Sequence, residues 1–143
     1  MLTVEHILQS KPQHITYTIT PEATVLEAIS LMADKGIGAL IVTEEDKVVG
    51  IVSERDYARK VALMERSSYD TCVADIMTSK VLTIERKNTV QECLNLMTDR
   101  HLRHLPVVED SQLIGLVSIG DLVKGIIQDQ QTLIEQLQNY IAS

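Results

Sequence analysis

The chain has no phenylalanine and no tryptophan, and only four tyrosines. Its core must therefore be filled by Ile, Val, Leu, Met and Ala, and it offers no series of aromatic platforms on which nucleic-acid bases could stack. Only two cysteines occur, Cys72 and Cys93, with no CxxC pair and no Cys/His ligand spacing. That argues against a zinc site or a disulfide framework and fits a reducing cytosol. No apolar run approaches the roughly 18 residues of a membrane span. The N-terminal Met1-Leu-Thr-Val-Glu-His-Ile lacks the basic stretch and apolar core of a secretion signal. Neither secretion nor membrane insertion is expected, and the expected compartment is cytoplasmic. Positive charge is scarce: 13 Lys and Arg face 20 Asp and Glu, a formal net charge of −7. The resulting field repels nucleic acid and anionic membrane surfaces.

What is present is ordinary globular material. Hydrophobic residues make up 45% and charged residues 23% of 143, which excludes disordered and low-complexity classes. A chain of this length buries roughly 68–70% of the surface exposed when unfolded, enough for an apolar core without metal or disulfide staples. It has room for one domain or for two small units sharing a core, not for several domains.

The main organising signal is an internal repeat. A shift of 65 positions aligns Thr18–Val61 with Thr83–Ile126 without a gap, and 15 of 44 positions are identical. Two copies are too few for a solenoid, so packing of the copies against each other about a pseudo-twofold axis is expected. Within each copy, Thr24-Val-Leu-Glu27 and Thr89-Val-Gln-Glu92 read as capping boxes that start a helix. Val25, Ala28, Ile29 and Met32, and Val90, Cys93, Leu94 and Met97, follow the spacing of a buried helical stripe, which places Cys93 in the core. Apolar runs Ala39–Thr43 and Val48–Ser53, then Leu105–Val108 and Leu113–Ser118, flank short polar turns and read as hairpins. A further strand, Tyr17–Thr20 or Val81–Glu85, precedes each first helix, and a second helix opens at Ser53 or Ser118. The expected class is α/β, with a β-α-β-β-α unit twice. Val4–Gln9 and Val73–Met77 read as short helical lead-ins, and Met64–Thr71 as the polar connection.

The last helix is expected to outrun its counterpart, to Ile141. Val123, Ile126, Gln130, Leu133, Leu137 and Tyr140 step by three and four along it, with Ile127, Ile134 and Ile141 alongside. This stripe is covered either by the rest of the chain or by another subunit.

The candidate chemistry lies in Gly50–Asp56 (GIVSERD) and Gly115–Asp121 (GLVSIGD), each ending a strand and opening a helix. Backbone N–H groups and the helix dipole suit such a turn to an anion, and a carboxylate one turn in could accept from both hydroxyls of a ribose. Ser-x-x-Asp is equally a helix-capping motif. Both readings stand at this point.

Together the twofold β-α-β-β-α repeat, GIVSERD, GLVSIGD and the hairpin containing RHLPVVED resemble a pair of CBS domains, the Bateman module, over nearly the whole chain. The resemblance implies motifs at 10–64 and 73–128, with the extended helix over 122–143, packed as one module with two clefts. It implies that the clefts bind an adenosyl ligand, with AMP or NAD(H) foremost and ADP, ATP or S-adenosylmethionine as alternatives. The ligand would act as a regulator, and the module as a homodimer. On this likeness Asp56 and Asp121 hold ribose hydroxyls, and Ser53 and Ser118 lie near ribose or phosphate. Tyr17, Ala39, Val81, Leu105 and Pro106 line the adenine slot, and Arg103 and His104 face the phosphates.

Local cations must offset the net negative charge. Arg55, Arg59 and Lys60 supply them at one helix start, and Arg100-His-Leu-Arg-His104 supplies them before a strand. The Asp56 turn carries its own cations and could borrow Arg103 and His104 from the other copy. The Asp121 turn has a lean start, where Gly120 lets a ligand approach the backbone. The clefts are thus expected to be unequal. His6 and His14 are read as surface residues.

No HExxH, no GxxxxGK[ST] and no nucleophile-base arrangement is present, so no enzyme, no catalytic cofactor and no metal are expected. The repeats fill the chain, so output is expected to pass through a separate effector protein. An alternative is a ligand-independent dimerisation or protein-interaction module. A third reading, an enzyme using His101, His104, Asp99 and Glu109, has least support.

Overall fold

The computed structural model describes residues 1–11 and 16–142. In each repeat the first helix is set by a threonine. The hydroxyls of Thr24 and Thr89 accept from the amides of Glu27 (3.2 Å) and Glu92 (3.1 Å), starting α2 (Val25–Lys35) and α5 (Val90–Arg100). Only this half of each expected capping box forms among the described residues; the Glu92 carboxylate accepts from Asn88 Nδ2 at 2.7 Å instead. α2 ends at Gly36 with φ 65°, α5 at His101 with φ 55°. Histidine is one of the few side chains enriched in this left-handed conformation, so His101 has a structural role as a helix cap.

β2 (Ala39–Glu44) pairs antiparallel with β3 (Lys47–Ser53), with Ala39 opposite Ser53, and parallel with β1 (Thr18–Ile19). β4 (His104–Glu109) and β5 (Gln112–Ser118) repeat the hairpin. Both hairpins turn on two residues with positive φ, Glu45 and Asp46, then Asp110 and Ser111, the twist that tight hairpins prefer. The strand expected at Val81–Glu85 shrinks to one parallel bridge between Ile84 and Val107. Ile84 N–H donates to the Pro106 carbonyl and Val108 N–H to the Ile84 carbonyl. The next rung would need an N–H from Pro106, which proline lacks; Ile41 occupies this position in the first repeat.

α1 (Val4–Ser10) and α4 (Val73–Ile76) confirm the helical lead-ins, each joined to the repeat that is not its own. Val4 N–H donates to Asn88 O and Val90 N–H to Leu2 O, while Val73 N–H donates to Ala23 O and Val25 N–H to Thr71 O. Thr3 and Thr89 form one antiparallel bridge, Cys72 and Thr24 the other. The chain accordingly divides into two compact units: the N-terminal segment with Thr83–Glu109 and the chain from Gly115, and the segment up to Leu82 with Asp110–Ile114.

Equivalent positions fill both cores. Val25, Ala28, Met32, Leu40, Val42 and Val52 are buried in one unit; Val90, Cys93, Met97, Leu105, Val107 and Val117 are buried in the other. Burial, reinforced by the Glu92 charge, pushes the Cys93 thiol up to about 11, an inert core residue. The strand glycines are packing sites. A β-carbon on Gly50 would lie 3.0 Å from Met77 Cγ and 3.2 Å from Thr78 O, and one on Gly115 would lie 2.8 Å from Leu8 Cδ2.

The second helices differ. α3 (Glu54–Tyr57) is short and runs into a π turn at Ala58–Ala62, whereas α6 (Ile119–Ala142) spans 24 residues. Leu122 and Gly125 of α6 are buried; Ile127, Leu133, Ile134, Leu137, Tyr140 and Ile141 are exposed. Among the described residues no helix is long and apolar enough to cross a membrane.

Gly50→Ala is expected to destabilise the fold by about 1–3 kcal/mol through overpacking against Met77. Adding Met77→Ala should recover part of that loss, and urea unfolding of the two single variants and the double variant measures this coupling. Strict additivity would refute the contact.

Candidate functional site

The turn from β3 into α3 and the turn from β5 into α6 are built alike. Ser53 is extended (φ −129°, ψ 165°) and its hydroxyl accepts from Asp56 N–H at 3.1 Å. Asp56 Oδ2 in return accepts from Ser53 N–H at 2.9 Å and from Ser53 Oγ at 3.0 Å. Ser118 and Asp121 repeat this exchange, at 3.1 and 2.9 Å. The first helix amide reaches back to the residue just before the first strand of the hairpin, Glu54 N–H to Gly38 O ahead of β2 and Ile119 N–H to Arg103 O ahead of β4, both at 3.0 Å. Ser-x-x-Asp is therefore a complete capping box in both repeats, with one oxygen of each carboxylate engaged in it.

The two turns differ in where their cations come from. Asp56 Oδ1 lies 3.3 Å from Lys60 Nζ, which also donates to Ile76 O at 2.8 Å. Position 125 is the equivalent of Lys60 in the second repeat, and it is glycine, where any β-carbon would collide with Ile7 Cδ1. The cation beside Asp121 arrives instead from the end of α1. Lys11 Nζ donates to Asp121 Oδ2 at 3.0 Å and to Leu116 O at 2.8 Å. The Lys11 and Asp121 side chains stay 32% and 27% exposed, so solvent and solutes still reach the pair. Among the described residues Asp121 Oδ1 meets no donor.

His104, at the start of β4, completes this cluster. Burial first, then the charges of Arg103 and Lys11, lower its pKa below the ordinary 6.5, against the opposing pull of Asp121. Burial acts to raise Asp121, but the Ser118 amide and Lys11 outweigh it and hold the carboxyl below its usual value of 3.8. One carboxylate is thus held ionised, paired with a lysine and beside an imidazole whose own field includes Arg103. Such a set can accept from sugar hydroxyls at the carboxylate and donate to an anion from the bases.

The lean start expected at the Asp121 turn is thus supplied with bases from elsewhere in the chain. Arg103 and His104 lie in the same unit as Asp121. Arg55 and Arg59 are exposed, with no ion pair among the described residues, and Gly120 is exposed. Ala39, Leu105 and Pro106 are buried. Val81 is half-buried, as is Tyr17, whose ring carries the Lys35 ammonium at 5.4 Å from its centroid. Glu109 accepts from Arg86 N–H at 2.7 Å, a structural task. His6 is exposed and its Nδ1 accepts from Thr3 N–H at 3.1 Å; His14 lies outside the described residues. A hollow of about 320 Å³ between α1 and α6, lined in part by His6, Ser10, Gln128 and Asp129, borders none of the expected site residues.

Sequence reasoning missed Lys11. Its signal is a second, short repeat: Val4-x-x-Ile7-x-x-Ser10-Lys11 against Val73-x-x-Ile76-x-x-Ser79-Lys80. This pair is offset by 69 positions, so a gapless shift of 65 passes over it.

The CBS domain family profile matches residues 4–63 and 73–128. The chain is 36% identical over 147 aligned residues to CBS domain-containing protein CBSX3, mitochondrial, of Arabidopsis thaliana, covering 97% of this chain and 71% of that protein. Among solved structures, a protein with CBS domains from Burkholderia ambifaria matches with TM-score 0.86 and 55% identity, covering 90% of this chain and 96% of that one. CBSX2 in complex with AMP shares the fold at TM-score 0.74 and 24% identity, covering 90% and 98%.

Acid should weaken the fold in two windows. The unfolded chain protonates His104 near 6.5 while the folded chain resists, so stability is lost as pH falls below that value. The contribution of Asp121 is fully present above 3.8 and is lost as pH falls through its lower folded value. Melting temperature should therefore drop between pH 7.5 and 5, and His104→Gln should flatten that slope. A slope identical in the variant would contradict the assignment.

Proposed function

Because the chain belongs to the CBS domain family, we propose that it is a regulatory module that binds an adenine nucleotide and acts through a separate effector protein. AMP or NAD(H) is the favoured ligand, with ADP and ATP as alternatives, and no chemistry is performed on it. The observation that carries this reading is the cluster at the start of α6. There an ionised carboxylate, Asp121, is paired with Lys11 beside His104, whose own field includes Arg103, in a molecule of net charge −7.

In this reading Asp121 takes the ribose hydroxyls, and Ser118, Arg103, His104 and the Gly120 backbone take phosphate. Leu105 and Pro106 border the adenine. The first repeat offers the matching set Asp56, Ser53, Arg55 and Arg59 with Tyr17 and Ala39, but Lys60 already occupies the open carboxylate oxygen. The Asp121 turn is therefore the tighter site. The AMP bound by CBSX2, a protein of the same fold, agrees with the ligand class. The two unpaired cysteines suit a reducing compartment, and we take this to be the cytoplasm.

Self-association is a second component, favoured by the exposed stripe on α6. Ile127, Leu137 and Ile141 are 59%, 53% and 82% exposed, and most of a helix's stability in a protein comes from packing of its apolar face. We assign the covering partner to a second copy of the chain. A module that paired in this way without any nucleotide would be an interaction module alone.

Two outcomes check these assignments. AMP or NADH at a hundredfold excess over its dissociation constant should stabilise the fold by about 2.7 kcal/mol, read as a rise in melting temperature. 2′-Deoxy-AMP should give less, and Asp121→Asn should reduce the response more than Asp56→Asn. The absence of a shift with every adenine nucleotide would end the proposal. Truncation after Gln128 should convert a dimer to a monomer in sedimentation experiments; an unchanged mass would remove the stripe as the interface.

A further inference from the structure

We infer that Lys11 determines the specificity of the Asp121 site, exchanging its carboxylate partner for the phosphate of an incoming nucleotide. This rests on the nucleotide reading given above. Asp121 Oδ2 already accepts from the Ser118 amide and the Lys11 ammonium, and among the described residues Oδ1 meets no donor. A ribose diol grips a carboxylate through both oxygens, so full engagement requires a donor to leave Oδ2. The Ser118 amide is fixed by the α6 cap. Lys11 is the donor that can move: it stands on a four-carbon stem beyond the end of α1, at Asp121 and the Leu116 carbonyl.

An ammonium that left Asp121 would remain among Arg103 and His104, where its charge is already felt by the imidazole. A phosphate placed there gives it a new counter-ion. A nucleoside without phosphate would displace Lys11 and offer nothing in return, so the exchange discriminates AMP from adenosine. Arg103 and His104 alone would favour phosphate without penalising its absence. The first repeat lacks the device, because the cation at Asp56 is Lys60, one helical turn along the same helix. Lys80, the sequence counterpart of Lys11, is exposed and forms no ion pair among the described residues.

The test is calorimetric titration of AMP and of adenosine into the full chain and its Lys11→Met variant, with thermal unfolding as a check on folding. The expected result is a fall of about tenfold or more in the AMP-to-adenosine affinity ratio, the loss of one charge-assisted hydrogen bond to phosphate. Lys11→Arg should restore much of the ratio. If both ligands bind the variant with the wild-type ratio, Lys11 is a structural ion pair only and the inference fails while the nucleotide reading survives. If the wild-type chain binds neither ligand, both fail together. Should Lys11→Met not fold, wild-type protein carrying ¹³C-methylated lysines is titrated instead. The Lys11 signal must then move to different positions with AMP and with adenosine, and identical movement overturns the inference.

Discussion

A carboxylate one turn inside a helix, accepting from the amide of the residue that caps it, sets the angle at which strand passes into helix in both repeats. Breaking such a cap costs about 1 kcal/mol in helix stability, but its larger effect is positional. It points a charged oxygen out of the strand-to-helix turn, beside the start of the neighbouring strand, where Gly38 or Arg103 accepts the first helix amide. Capping and binding are not competing accounts of Ser-x-x-Asp. In Asp56 the cap takes Oδ2 and Lys60 faces Oδ1, whereas in Asp121 the cap and Lys11 share Oδ2 and a sugar can approach Oδ1.

The two copies resolve the remaining charge differently. In the first, a lysine four residues along the helix neutralises Asp56. In the second, glycine is required at that position because Ile7 packs against it, and the lead-in helix that brings Ile7 also brings Lys11. A packing demand in the core thus decides which cation serves the site. The exchange of lead-in helices between repeats is what makes a residue near the N-terminus part of a site near the C-terminus.

Much of this was legible in the sequence. Capping threonines and apolar periodicity announced α2 and α5, the tight polar turns announced both hairpins, and the repeat announced two similar units. What escaped has physical causes. The loss of the strand at Val81–Glu85 follows from Pro106 on the strand it would have joined, a contact no local pattern records. In the second repeat the reciprocal half of the threonine box gives way to Asn88, which competes for Glu92. Lys11 lies 110 residues from Asp121, and nothing in local propensity states which repeat a lead-in helix will join. The bases Arg103 and His104 were visible as a charged run, but not that burial would keep His104 neutral.

The most direct measurement follows the His104 imidazole by NMR while AMP or NADH is added to the full chain. If phosphate binds at the start of α6, the resonances shift saturably and the imidazole pKa rises from its lowered value, because a new anion now stabilises the protonated ring. Resonances that stay unmoved at millimolar concentrations of both ligands would contradict the account.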